Sequence, residues 1–184
     1  MTEVGLSQYC EEAKDLIKGG SLDEAIALCR HILKQYPKYV MPYRLLGEAA
    51  LEKEGYEEAA NFFTRVLGAE PEDVIANVGL AVVHEERGEQ EEAIWHLERA
   101  FELAPGNGEV RQELKRLYGQ REGAEREIGK QIPAALGRLY LKEGLYQRAI
   151  TEFRPLLETD PNRMDLKVAL AEALWREGRR REAA

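Results

Sequence analysis

The stretch PAALGRLYLKEGLYQRAITEFRPLLETDP, residues 133–161, decides the fold. It reads as two helices, near 131–143 and 146–159, joined by the turn Glu143-Gly144-Leu145. Pro161 closes the second helix, because a proline forces the residue before it away from helical geometry. Gly137 on the first helix and Ala149 on the second are small enough to let the two axes approach. Leu136, Tyr140, Phe153 and Leu156 fill the space around that contact. The stretch is a helical hairpin.

Working outward, the same unit recurs. Pro37, Pro71 and Pro105 lie 34 residues apart, and Pro161 follows 56 residues later, one period plus 22. Ala25, Ala59, Ala93, Ala149 and Ala183 keep the same spacings, as do Ala13, Gly47, Ala81, Gly137 and Ala171. Three columns with one shared irregularity define the repeat. They predict further first helices near 7–18, 41–53, 75–87 and 165–177, and second helices near 22–35, 56–69 and 90–103. Ser21 followed by Glu24 has the pattern of a capping box. No strand is evident.

With Leu136, Gly137, Tyr140, Ala149, Phe153 and Pro161 in one unit, and Tyr43, Leu46, Gly47, Ala59, Phe63 and Pro71 in another, the chain resembles the tetratricopeptide repeat family. The first and third units depart from the pattern, with Cys29 and Leu97 in the phenylalanine place. The resemblance spans nearly the whole chain except roughly 107–129. It implies an all-α, right-handed α-solenoid of helical hairpins, interrupted by one extra helix after the third repeat and ending in a half repeat. Residues 1–105 are read as three hairpins, 106–129 as an inserted helix and connector, 130–163 as the fourth hairpin and 164–184 as a partial fifth.

The insertion has its own pattern. Apolar residues at 110, 114, 117 and 118 predict a helix over 109–118, standing unpaired, with 122–133 leading helically into the next repeat around Pro133. Pro155, inside a second helix, removes a backbone hydrogen bond and is expected to bend it. In the last repeat Val168, Leu170, Leu174 and Trp175 form an apolar face without its cover. Solenoid ends need a polar cap, so either the natural protein continues past Ala184 or two copies meet there as a homodimer.

Composition narrows the function classes. With 184 residues, 44% hydrophobic and 33% charged, the chain is ordinary for a folded protein. A net charge of −8 argues against nucleic acid and against anionic membranes as partners. The charge is uneven: residues 1–105 hold 21 acidic and 10 basic side chains, a net of −11, while 106–184 hold 13 and 16, a net of +3. The first ten residues lack the basic start and apolar core of a secretory signal, and two cysteines make no disulfide framework. A cytoplasmic location is the expectation.

Catalytic patterns fail one by one. His84-Glu85-Glu86-Arg87 lacks the second histidine of a zinc-protease helix, position 88 being Gly88. Neither Cys10, Cys29 nor the three histidines show metal-ligand spacing, and no glycine-rich phosphate loop follows a strand. Glu92 and His96, one turn apart, read as a surface pair. The expectation is a non-enzyme with no cofactor and no metal.

The resemblance implies instead a groove lined by first helices, holding a protein or peptide segment. Its places fall on Cys10, Lys14 and Ile17, then on Arg44, Glu48, Leu51 and Glu52, then on Val78, Val82, Glu85 and Glu86. Beyond the insertion they fall on Ala134, Arg138, Leu141 and Lys142, and on Val168, Glu172 and Trp175. The family's clamp for chaperone tails is not matched, since Cys10, Lys14, Leu45, Ile75 and Gly79 supply one suitable residue, Lys14. Trp95 is expected on the outer side of a second helix, either packed on the inserted helix or open to a partner. Two other readings compete with the scaffold: a non-catalytic regulatory or targeting segment of a larger enzyme, and a self-association module.

Overall fold

The computed structural model describes residues 5–122 and 133–183. Among them lie ten helices and no strand: α1 Leu6–Lys18, α2 Leu22–Gln35, α3 Val40–Glu52, α4 Tyr56–Ala69, α5 Val74–Glu86, α6 Gln90–Leu103, α7 Gly108–Glu122, α8 Pro133–Lys142, α9 Tyr146–Thr159 and α10 Met164–Arg176. The chain divides into two compact units, Met1–His96 and Leu97–Ala184, with the boundary inside α6.

In the N-terminal unit α3 packs on α4 of its own hairpin, on α1 and α2 of the hairpin before it and on α5 of the next, and α5 packs on α3 and α4. Two apolar clusters result. One gathers Cys10, Ala13, Cys29, Ile32, Leu45 and Leu46; the other gathers Ala50, Ala59, Phe63, Val66, Ala76, Leu80 and Val83. The expected column of small residues sits at the closest approaches. An added Cβ on Gly47 would stand 2.6 Å from the Phe63 ring, and one on Gly79 would stand closer still to its other side. Gly79, which the sequence reading considered only as a clamp place and not as a packing position, is therefore as tightly constrained as Gly47.

In the C-terminal unit α8, α9 and α10 pack mutually around Ala134, Ala149, Ile150, Phe153, Leu166, Ala169, Ala173 and Leu174. Gly137 faces Phe153 as Gly47 faces Phe63, with a Cβ-to-ring distance of 2.5 Å. The inserted helix is present as α7 and is longer than the predicted 109–118. Asn107 caps it, its Oδ1 accepting from the Glu109 and Val110 amides at 3.0 and 3.3 Å. Val110, Leu114, Leu117 and Tyr118 are all buried. Of the expected lead-in over 122–133, residues 123–132 lie outside the described ones; α7 itself lies against α6, where the Tyr118 hydroxyl donates to Glu98 and Arg111 sits over the Phe101 ring.

Helix ends follow from the turn chemistry. Tyr36, Glu70 and Asp160, each preceding a proline, share nearly the same non-helical backbone, with φ of −127°, −128° and −131°. First helices end in a repeated motif: Ser21, Gly55, Glu89, Leu145 and Arg179 each donate from the amide to the carbonyl five residues back, at 2.8–2.9 Å. The residue before each of these has positive φ. Four are glycines (Gly20, Gly88, Gly144 and Gly178), but the second repeat places Glu54 there at φ 57°. The capping box expected at Ser21 does not form. Ser21 makes no side-chain cap bond, because its amide is committed to Leu16 and its ψ of 58° is not the extended value a capping side chain needs. Pro155 does not end α9, which runs unbroken to Thr159.

Candidate ligand-binding surfaces

In the N-terminal unit the expected groove residues fall on α1, α3 and α5. Lys14 is exposed; Arg44, Glu48, Leu51, Val78 and Glu85 are half-buried; Val82 is exposed. Cys10, also expected to face a ligand, is buried in the core instead, since the following hairpin covers it. Arg44 is held by two carboxylates: its Nη2 donates to Glu70 at 3.1 Å and to Asp73, whose other oxygen caps α5 by accepting from the Ala76 amide at 2.7 Å. Burial pushes the Glu48 carboxyl above the ordinary range, with Arg44 and Lys14 opposing that rise and Asp73 adding to it. A cavity of about 610 Å³ opens here, between Arg44 and the segment Glu70–Ile75. Its polar lining is one arginine against Glu70, Glu72 and Asp73. Of the expected groove residues only Arg44 lines it.

The same unit contains a histidine pair that the sequence reading did not join. His84 on α5 and His96 on α6 stack with ring centroids 5.3 Å apart. The imidazole Nδ1 of His96 meets the Asn77 Oδ1 at 3.1 Å, so its partner is Asn77 and not Glu92. Burial, with His84 second, pushes His96 down to about 4. Trp95 meets the His96 ring edge-on and is 52% exposed.

In the C-terminal unit four expected residues come together. Arg138, Leu141 and Lys142 on α8 and Glu172 on α10 line a cavity of about 680 Å³, whose other walls include Leu103, Asn107 and Leu139. Ala134, expected beside them, is buried and offers nothing to a ligand. Behind the cavity runs an ionic chain. Arg138 donates to Asp165 at 3.2 Å, and Arg163 donates to the same carboxylate from Nε and Nη2 at 2.9 and 2.7 Å. Arg163 also reaches Glu102 at 2.8 Å, and Glu102 pairs with Arg99 at 2.8 Å. Burial raises the Asp165 carboxyl, but the Arg163 hydrogen bond and the charges of Arg163, Arg138 and Arg99 outweigh it and hold the group down at about 2. Burial raises Glu102, with Arg99 and then Arg163 opposing. Three guanidinium groups thus share two carboxylates.

On α10 the expected uncovered face divides. Leu174 is buried in the core and Leu170 packs partly against it, because α9 already covers that side of the helix. Val168 and Trp175 remain 65% and 57% exposed, in line with Met164 at 64%. The Arg180 guanidinium lies 4.9 Å above the Trp175 ring.

Among the described residues no group of three histidines, cysteines or carboxylates is placed to hold a metal ion. No described helix is long and apolar enough to cross a membrane.

Comparison with known proteins points to one architecture. The family described as tetratricopeptide repeat matches the chain over residues 44–108 and 134–184. No curated protein matches it. Among solved structures it is similar to one titled "Crystal structure of MamA protein", at 19% identity over 96% of this chain and 85% of that one, with a TM-score of 0.51. A second, titled "Crystal structure of YrrB: a TPR protein with an unusual peptide-binding site", shares 22% identity over 96% and 79%, with a TM-score of 0.53. A third, "Structure of Naa15/Naa10 bound to HypK-THB", aligns at 16% identity over 96% of this chain and 23% of that one, with a TM-score of 0.57. At these identities the likeness is one of fold.

Proposed function

The chain belongs to the tetratricopeptide repeat family, and from that premise we propose that it is a protein-interaction scaffold holding a peptide or protein segment on its first helices. The observation that carries the reading is the cavity of the C-terminal unit, where Arg138, Leu141, Lys142 and Glu172, all from first helices, share one concave lining. Apolar walls with a few convergent polar groups are what a segment-binding surface requires. A similar structure described as having a peptide-binding site supports the same reading. Among the described residues no nucleophile and base come together in an enclosed pocket.

The test is selection of random dodecapeptides on the full chain, followed by fluorescence anisotropy with the enriched sequences. Val82→Asp and Lys142→Glu, both exposed, are expected to weaken binding by about tenfold or more. Glu58→Arg, exposed on the second helix α4, should leave it unchanged. Equal binding by all four proteins would remove the first helices from the interaction.

A second reading has its own observation. The exposed stripe of Met164, Val168 and Trp175 fits self-association through α10. Sedimentation of wild type against Val168→Asp/Trp175→Lys decides it: a wild-type dimer that the variant dissociates supports the reading, and a wild-type monomer at high concentration rejects it.

A further inference from the structure

We propose that the cavity of the C-terminal unit is a subsite for an acidic side chain of the bound segment, seated beside an apolar one. This rests on the scaffold reading and names what that cavity selects. Its charged lining is Arg138 and Lys142 against Glu172. Glu172 is itself paired with Arg176 at 3.4 Å, and behind Arg138 the ionic chain continues through Asp165, Arg163, Glu102 and Arg99. Asp165 is already shared by two guanidinium groups and stays ionised well into acid. It therefore anchors Arg138 at the cavity wall.

Lys142 supplies the mobile charge. It ends α8, is exposed, and forms no ion pair among the described residues. Leu139 and Leu141 flank it in the lining, and apolar walls strengthen the field that a carboxylate would meet. A glutamate or aspartate next to an aliphatic or aromatic residue satisfies both features. The N-terminal cavity has the opposite polarity, one arginine against three carboxylates, so the preference belongs to this cavity and not to the chain at large.

The experiment uses the full chain and the composition of the dodecapeptides it selects, then anisotropy with synthetic fluorescein-labelled versions of the winners. Enrichment of Asp or Glu beside an apolar residue is expected, and its replacement by Asn or Gln should weaken binding about tenfold. Lys142→Glu and the milder Lys142→Met should each abolish the acid preference, with circular dichroism unchanged, while Lys34→Glu, exposed on the second helix α2, retains it. C-terminally amidated and free-acid peptides should bind alike, which distinguishes a side-chain carboxylate from a chain terminus. Winners without acid enrichment, a preference that survives both Lys142 variants, or a requirement for the free terminus would overturn this subsite and leave the scaffold standing. Selection that enriches nothing would overturn the scaffold reading, and this inference with it.

Discussion

The ring of Phe63 and the α-carbon of Gly79 meet so closely that no side chain fits between them, although the two residues belong to successive hairpins. Phe63 is wholly buried and also abuts Gly47, so the ring cannot swing aside. Gly79→Ala should therefore destabilise the N-terminal unit by about 2 kcal/mol, since overpacking outweighs the gain in helix propensity. Gly68→Ala is the control: that glycine lies in α4 with nothing near a Cβ, and the change should stabilise by about 0.5–1 kcal/mol. Urea melts followed by circular dichroism measure both. A neutral Gly79→Ala would mean the ring has room to move.

Glu54 makes the next case. It occupies the left-handed place that Gly20, Gly88, Gly144 and Gly178 fill in the other repeats. An L-residue there costs roughly 1 kcal/mol. Glu54→Gly should raise thermal stability by a few degrees, while Gly88→Glu, its mirror, should lower it. No change in either direction would show that the turn relaxes around whatever residue it is given.

The ionic chain predicts a pH response. The folded Asp165 carboxyl lies at about 2, below its ordinary 3.8. A depressed acid contributes stability above the ordinary value, and that contribution is lost as pH falls from about 4 to 2. Asp165→Asn should remove this response, on the order of 1 kcal/mol once solvent screening of a partly exposed group is counted. Arg163→Met should cost more at neutral pH, about 3 kcal/mol, because it leaves Glu102 buried with Arg99 alone. Melts of the three proteins across pH 2–7 compare them directly.

His96 acts in the same direction over a higher range. Its folded value of about 4 lies below the ordinary 6.5, so the unfolded chain binds the proton first as pH falls. Stability is full above about 6.5 and declines toward 4. His96→Gln should flatten that slope, and an NMR titration should find the His96 ring still neutral at pH 5.5. A midpoint near 6.5 would place the ring in open water.

Much of this was legible in the sequence, for identifiable reasons. The second helices begin and end at the residues that the proline and alanine columns predict, 22–35, 56–69, 90–103 and 146–159, because a proline acts on its immediate neighbours. First helices start one residue early, at 40, 74 and 164, since their capping places hold residues as unlike as Tyr39, Asp73 and Arg163. Arg138 and Lys142 followed from their place in the repeat. The chain of Arg99, Glu102, Arg163 and Asp165 did not, because its members occupy unrelated repeat positions and meet only through packing. The packing role of Gly79 was missed for a similar reason: it answers to a ring on the neighbouring hairpin, outside its own period. Cys10 and Ala134 were assigned to a ligand from one hairpin's pattern, without the next helix that encloses them.

The bond between Glu102 and Arg163 spans 61 positions of the chain, whereas a hairpin contact such as Gly137 to Phe153 spans far fewer. Closing so long a loop is slow relative to zipping a hairpin, so the bond forms after α8, α9 and α10 have come together. It is therefore expected to form after the rate-limiting step of folding and to be among the contacts broken in unfolding. Weakening it should leave the refolding rate nearly untouched and speed unfolding, which makes this pair of charges a latch on the lifetime of the native state.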